Sequence, residues 1–126
     1  MSPSSATLRV YLRSSLRSLH RNPIEDQREG CRVFATRDLP ERFAIALDWE
    51  RRSEYLDDAA TYSAATRHAG LWLLLHEIRP GDVVIMRDLG RIGRDEGARD
   101  QTVRSIVEEL GARLFVYESG AEVVPK

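Results

Sequence analysis

Apolar and polar positions alternate over Leu8–Leu12, and a period of two residues is typical of a strand. Successive side chains of a strand point to opposite faces of its sheet. One face would carry Leu8, Val10 and Leu12, and the other Arg9, Tyr11 and Arg13. Residues 1–7 are small and polar, and we expect them to form a flexible tail.

A helix is predicted next, from Pro23 to Arg37. Asn22 suits the N-cap, Pro23 the first helical position and Glu25 the third position of a capping box. The residues expected on its inner face are Ile24, Cys31, Phe34 and Ala35. Asp38-Leu39-Pro40 should end the helix, because proline lacks the N–H that a helix interior requires.

The middle of the chain is less regular. Residues 41–49 fit either a short strand or a helical turn, because Phe43, Ile45 and Leu47 alternate over a very short run. A second strand is predicted over Glu50–Leu56, ending at Asp57-Asp58. Residues 59–68 are small and polar, and they are expected to form a mobile loop.

The second half of the chain continues the alternation of helices and strands. The predicted elements are a helix over Gly70–Ile78, a turn at residues 80–82, a strand over Val83–Met86, a loop over Leu89–Gly97, a helix over Ala98–Leu110 capped by Gly111, a strand over Leu114–Tyr117 and an edge strand at Val123-Val124. This order predicts an α/β fold with three layers, in which helices flank a mostly parallel central sheet. Residues 8–126 would form a single domain.

Composition narrows the class of protein. Apolar residues make up 42% of the chain and charged residues 31%, as in an ordinary globular domain, and no apolar run is long enough to span a membrane. Cys31 is the only cysteine, so a reducing cytoplasm is the simplest compartment. The formal net charge of −1 gives the whole chain no strong attraction to nucleic acid. Eighteen of the 19 basic residues are arginine, so the positions of the arginines carry the information.

Polar side chains follow three of the predicted strands. Arg13 and Ser15 leave the first strand, Asp57 and Asp58 the second, and the pair Arg91 and Arg94 the third. Because ligands of open α/β sheets bind beyond the carboxyl ends of the strands, we expect these segments to converge. Several arginines around one serine suit phosphoryl transfer without a metal or other cofactor.

Simpler interpretations stand beside this one. A serine after a strand is often a cap, and loop arginines are often solvated. The carboxylates Asp57-Asp58 fit the end of a strand and also a Mg²⁺ site. His20, His68 and His76 lack metal-ligand spacing, and His76 suits a core or rim position. No G-x-S-x-G elbow surrounds Ser15, and no P-loop ending follows the glycines of residues 90–97.

The ordered motifs resemble those of the serine recombinases, the resolvase/invertase family. The matching segments are Tyr11-Leu12-Arg13-Ser14-Ser15 (Y-x-R-x-S), Ile24-Glu25-Asp26-Gln27 followed by Cys31-Arg32, Glu54-Tyr55-Leu56-Asp57-Asp58 (E-Y-V-D-E), residues 81–85 (G-D-V-[IV]-[IV]), residues 89–95 (L-D-R-L-G-R-D) and residues 108–120. The similarity spans residues 8–120. The arginine spacing of residues 89–95 is the most specific of these signals.

The resemblance implies a resolvase-like catalytic domain for site-specific DNA recombination, including DNA integration. Ser15 would attack a DNA phosphodiester and form a transient phosphoserine bond, while Arg13, Arg91 and Arg94 neutralise the phosphate. The supporting residues would be Tyr11, Gln27, Asp57 and Thr61. Members of the family act on DNA as dimers that pair into tetramers, and no membrane is involved.

Several positions depart from the family pattern. Leu19 stands in place of a Gln, and Thr61 in place of a frequent Ser. His68 occupies the position of an active-site Arg, although Arg67 is adjacent.

Other departures concern segments and the later arginine motif. Gly90 replaces the Asp of L-D-R-L-G-R, and the alternation of the strand does not place Asp88 equivalently without a shift. Residues 38–47 resemble an insertion, and we expect no DNA-binding domain within residues 8–126. Three functions therefore stay open: a DNA strand transferase, a non-catalytic relative used in protein–protein or regulatory contacts, and an unrelated phosphate-binding α/β protein.

Overall fold

A computed structural model describes residues 6–14, 23–59, 63, 65–93 and 95–125. The strands are β1 (Leu8–Arg13), β2 (Ser53–Asp57), β3 (Val83–Met86), β4 (Arg113–Val116) and β5 (Ala121–Val123). The helices are α1 (Pro23–Val33), α2 (Leu39–Phe43), α3 (Ala69–Glu77) and α4 (Glu96–Arg104). The π turns Phe34–Asp38 and Ser105–Glu109 continue α1 and α4, and 3₁₀ turns cover Trp49–Arg51 and Leu89–Arg91.

The five strands form one sheet in the order β2-β1-β3-β4-β5. The first four are parallel and β5 is antiparallel, which confirms the predicted α/β fold with a mostly parallel sheet. Because every helix crosses over between parallel strands, helices cover both faces of the sheet. The central strand β3 is accordingly buried along its whole length.

Two hydrophobic cores lie on the two faces. On one face Leu8, Val10 and Leu12 pack with Cys31 and Phe34 of the α1 segment. On the other, Tyr11 packs with residues of α3, of α4 and of the π turn that continues α4, including Leu71, Leu74, Val103 and Ile106. The alternation predicted for the first strand is therefore confirmed, and so are the buried positions Ile24, Cys31, Phe34 and Ala35 of the first helix.

The predicted end of the first helix at Asp38-Leu39-Pro40 is wrong. The π turn Phe34–Asp38 leads directly into α2, and Pro40 lies in the first turn of that helix. A proline is tolerated there, because its missing N–H would have had no partner within α2. Phe43 ends α2, and Ile45 and Leu47 follow in an irregular segment; all three side chains are partly buried against the core that contains Phe34.

Other predicted boundaries moved by a few residues. The second strand begins at Ser53 and not at Glu50, because Asp48 caps a 3₁₀ turn by accepting a hydrogen bond from the Glu50 N–H. Helix α4 begins two residues earlier than predicted, and β5 ends at Val123. Gly111 adopts a φ of 74° two residues after the last helical segment, and a left-handed glycine at this position is a common way to end a helix. No helix among the described residues is long and apolar enough to cross a membrane.

Candidate active site at the carboxyl edge of the sheet

The carboxyl ends of β1 and β2 lie side by side. Arg13 and Asp57, the last residues of the two strands, are register partners. The next neighbour of β1 is β3, and the segment that follows β3 carries Arg91. The predicted convergence is therefore confirmed for Arg13, Asp57 and Arg91. Ser15, Arg94 and Thr61 lie outside the described residues, as do Leu19, His20 and the proposed N-cap Asn22.

Asp57 is buried and links both strands to the start of α3. Its Oδ2 accepts a 2.6 Å hydrogen bond from the Tyr11 hydroxyl, and its two oxygens accept bonds from the N–H groups of Gly70 and Leu71. A Cβ at Gly70 would lie 2.6 Å from the Leu56 carbonyl oxygen, so glycine permits this close approach. The carboxylate therefore fixes the N-terminus of α3, where the helix dipole favours a negative charge.

Tyr11 serves this site as a hydrogen-bond donor. Burial first, and then the adjacent Asp57 carboxylate, raise the pKa of the Tyr11 hydroxyl far above its usual value. The phenol therefore keeps its proton at neutral pH and donates a hydrogen bond to the Asp57 carboxylate.

The Arg13 guanidinium lies above Tyr11 and Asp57. Its Nη1 donates to the Arg67 carbonyl oxygen at 2.8 Å and lies 3.4 Å from both the Tyr11 hydroxyl oxygen and His68 Nδ1. The nearest Asp57 oxygen is 3.7 Å away. The Asp57 carboxylate therefore makes its short hydrogen bonds to Tyr11 and to the α3 backbone. Its ion pair with Arg13 is longer.

The backbone of Arg13 is held by two side chains. Gln27 is buried; its Oε1 accepts from the Arg13 N–H at 3.1 Å and its Nε2 donates to the Arg13 carbonyl oxygen at 2.7 Å. Arg91 Nη1 donates to the same carbonyl oxygen at 3.2 Å. Gln27 on α1 and Arg91 after β3 therefore fix the chain immediately before Ser14 and Ser15.

His68 and Arg67 come from the turn that precedes α3. The exposed Arg67 contributes its backbone carbonyl to Arg13, and half-buried His68 lies near Arg13 Nη1 on one side and the Trp72 ring, 6.0 Å away between centroids, on the other. Partial burial and the positive charges of Arg13 and Arg67 lower the pKa of His68. A catalytic role for either residue stays a prediction.

Ser14 is a residue that the sequence analysis did not single out. Its buried hydroxyl donates to Asp58 Oδ1 at 3.0 Å and accepts from the Ala59 N–H at 2.8 Å. Its N–H donates to the Asp57 carbonyl oxygen. The strand period was the available signal, because it places Ser14 on the face opposite Arg13. Ser14 therefore ties β1 to the loop after β2.

The remaining polar candidates contribute less to this edge. Asp57 and Asp58 point to separate partners, and the described residues contain no group of three or more His, Cys, Asp or Glu side chains suited to a metal ion. His76 is exposed on α3, so the core interpretation of this residue is wrong and only the rim interpretation fits.

This arrangement can be compared with known protein families. The sequence matches the family model described as Resolvase, N terminal domain, over residues 9–123. The chain belongs to the resolvase family. No curated protein matches it significantly.

Solved structures of recombinases share the fold of this resolvase-family domain. The N-terminal catalytic domain of TP901-1 integrase is 14% identical with a TM-score of 0.63, and the match covers 92% of this chain and 80% of that one. A resolvase family site-specific recombinase from Streptococcus pneumoniae is 16% identical with a TM-score of 0.68, covering 93% of this chain and 75% of that one. At these identities the likeness concerns the fold.

Proposed function

We propose that this resolvase-family domain cleaves and rejoins DNA strands in site-specific recombination, with Ser15 as the nucleophile. Membership of the family points to recombination in general. The observation that carries the finer proposal is the fixed backbone of Arg13, because Gln27 and Arg91 both hold the residue two positions before the proposed nucleophile. A serine that follows this fixed residue in the chain, together with the arginines at the same sheet edge, would suit attack on a phosphodiester.

The chemistry assigns a role to each group. The Ser15 oxygen forms a bond to phosphorus as the bond to one strand oxygen breaks; the serine proton is lost and the released strand end gains one. Arg13, Arg91 and Arg94 would stabilise the negative charge on the phosphate oxygens during the displacement, with Arg67 or His68 adding a further cation. Asp57, Tyr11, Gln27 and Thr61 would support these groups.

The same bond stores the energy for rejoining. A phosphoserine link keeps a phosphate ester bond in place of the broken one, so the reverse attack by a strand hydroxyl needs no ATP. Within the proposal, residues 8–126 act as one catalytic domain. The protein would work in the cytoplasm as a homodimer or tetramer, with a separate region that binds DNA. The DNA backbone is the partner that the arginine cluster fits.

Trapping the covalent intermediate tests the proposal. The chain is incubated with supercoiled DNA, the reaction is stopped with detergent, and DNA-linked protein is digested for mass spectrometry. A nucleotide adduct on Ser15 is expected, and Ser15→Ala should abolish it. The matched control is Ser53→Ala, which removes a serine at the amino end of β2, on the opposite edge of the sheet, and should leave the adduct yield unchanged.

Two outcomes would contradict the proposal. An adduct that persists in Ser15→Ala would assign the nucleophile to another residue. Complete absence of an adduct, also at high protein concentration and low salt where phosphate contacts are strongest, would favour a non-catalytic resolvase-like domain used in protein–protein or regulatory contacts. The substitutions at His68 and Gly90 favour that second function.

A further inference from the structure

We propose that Asp88 is a positioning residue for Arg91 and that Gly90 is required to leave room for the Asp88 carboxylate. The inference deepens the proposed function, since Arg91 is one of the residues assigned to the phosphate. Its geometric part, however, concerns only this loop and stands without the DNA reaction.

The loop after β3 brings the two side chains together. The strand ends at Met86, so its alternation does not extend to Asp88, and a 3₁₀ turn follows at Leu89–Arg91. The Asp88 carbonyl oxygen accepts a hydrogen bond from the Arg91 N–H at 3.1 Å. This turn brings Arg91 back towards Asp88, so the Asp88 carboxylate can lie beside the arginine although the two residues are three positions apart.

Arg91 has one side-chain nitrogen that needs a partner. Its Nη1 donates to the Arg13 carbonyl oxygen, whereas its Nε is buried and makes no hydrogen bond to any described residue. Asp88 Oδ1 lies 3.6 Å from this Nε. A buried N–H without an acceptor is unfavourable, and the adjacent Asp88 carboxylate is the group that offsets this cost.

Gly90 explains why the carboxylate can lie there. A Cβ at residue 90 would come within 2.7 Å of Asp88 Oδ1, closer than real Cβ contacts, whereas a Cβ at Gly93 in the same loop would meet nothing within 4 Å. Neither glycine has a positive φ, so an alanine at either position suits the backbone. Alanine at position 90 would therefore displace the carboxylate and leave the fold intact.

Arg87 is the competing partner of Asp88. Its Nε lies 3.6 Å from Asp88 Oδ2, but the same Nε lies 2.8 Å from the carboxylate of Glu118. Arg87 and Glu118 are both exposed, so their pair is a weak surface contact. We therefore assign Asp88 to Arg91, which faces the site.

The first test uses no DNA. Hydrogen exchange of the Arg91 Nε–H is followed by NMR in the full chain and in Gly90→Ala, Asp88→Ala and the control Gly93→Ala. Exchange should become several-fold faster in the first two variants and stay unchanged in Gly93→Ala. Equal exchange in all four proteins would overturn the assignment. Arg87→Ala is measured as a fifth protein, and faster exchange in that variant alone would also overturn it.

The second test is a double-mutant cycle on formation of the Ser15 adduct. Gly90→Ala and Asp88→Ala should each slow it by roughly 10- to 100-fold, the scale of a misplaced catalytic group. Gly90→Ala should have no further effect in the Asp88→Ala background, since no carboxylate remains to displace. Additive losses would contradict the inference. If wild type forms no adduct, the proposed function fails while the exchange result still decides the role of Asp88.

Discussion

Strand β1 carries two arginines on one face, Arg9 near the amino end of the sheet and Arg13 at its carboxyl end. They differ in how closely an aspartate pairs with them. At the amino end, Arg9 Nε donates to Asp82 Oδ2 at 2.7 Å and Nη1 donates to the Tyr55 hydroxyl at 2.6 Å. At the carboxyl end, the corresponding distances from Arg13 Nη1 to Asp57 and Tyr11 are 3.7 and 3.4 Å. Both ends contain an arginine, a tyrosine and an aspartate, but the aspartate lies closer to the arginine at the amino end.

The destination of the carboxylate explains the difference. The buried Asp82 carboxylate accepts hydrogen bonds from Arg9 Nε and from the backbone N–H groups of Thr7 and Arg79. Both of its oxygens therefore have donors. Asp57 gives its short contacts to Tyr11 and to the start of α3. Asp57 therefore pairs less closely with Arg13 than Asp82 pairs with Arg9, and under the proposed function the Arg13 guanidinium would contact a phosphate oxygen. The pair at the amino end stabilises the fold, whereas the carboxyl end is where the proposed function places the phosphate.

The pKa of Arg9 fits this account. Burial would lower it, but the hydrogen bonds to Asp82 and Tyr55 outweigh burial and raise the pKa. Tyr55 in turn donates to Glu77 at 2.6 Å, which extends the network to α3.

The largest expected effect is on stability at the amino end. Asp82→Ala would leave the nearly buried Arg9 side chain without its carboxylate, and breaking a buried pair in this way costs about 3–5 kcal/mol. Glu118→Ala, which breaks the exposed pair with Arg87, should cost less than about 1 kcal/mol. Urea denaturation measures both free energies of unfolding. Similar losses of stability in the two variants would contradict the claim that the Arg9–Asp82 pair stabilises the fold.

The next effect is on activity at the carboxyl end. Arg13→Ala should slow formation of the Ser15 adduct by roughly 10²- to 10³-fold, as expected when a group that stabilises transition-state charge is removed. Its free energy of unfolding should fall by much less than that of Asp82→Ala, because Tyr11 and the α3 backbone still satisfy Asp57. Adduct kinetics and urea denaturation on the same samples separate the two effects. A loss of stability as large as in Asp82→Ala would give Arg13 the same structural role as Arg9.

The smallest effect is a pH dependence of stability through His68. Its pKa is lowered in the folded chain, so the folded state resists its protonation and the contribution of His68 is complete above the unfolded value of about 6.5. That contribution should be lost as pH falls through the folded pKa. Replacing His68 by Gln should reduce the fall in the urea midpoint below this pH, whereas replacing exposed His76 on α3 serves as the control. Identical pH profiles for wild type and His68→Gln would contradict the assignment.

The two ends also differ in how far the sequence predicted them. At the carboxyl end, Arg13 and Asp57 close their strands and Arg91 follows β3, and the general position of ligand sites in α/β sheets was enough to predict that they converge. The period of the first strand placed Arg9 on a polar face, yet that face is covered by α3 and α4. The buried pair with Asp82 was missed, because a period of two does not reveal whether a helix covers the second face.

Local turns limited the rest of the prediction. Pro40 was expected to stop the first helix, but a π turn allows the chain to begin a new helix with proline in its first turn. Asp88 was judged by strand alternation, although the strand had ended at Met86. In both cases the structure contains a short turn, a π turn before α2 and a 3₁₀ turn after β3, which the hydrophobic pattern does not predict.

A side-chain NMR titration tests the central claim that the carboxyl edge binds phosphate and the amino edge does not. The Nε–H signals of Arg9, Arg13 and Arg91 are followed while a short DNA duplex is added at low salt. The signals of Arg13 and Arg91 should shift with DNA concentration, and that of Arg9 should stay in place. A shift of the Arg9 signal alone, or no shift of Arg13 at saturating DNA, would contradict the account.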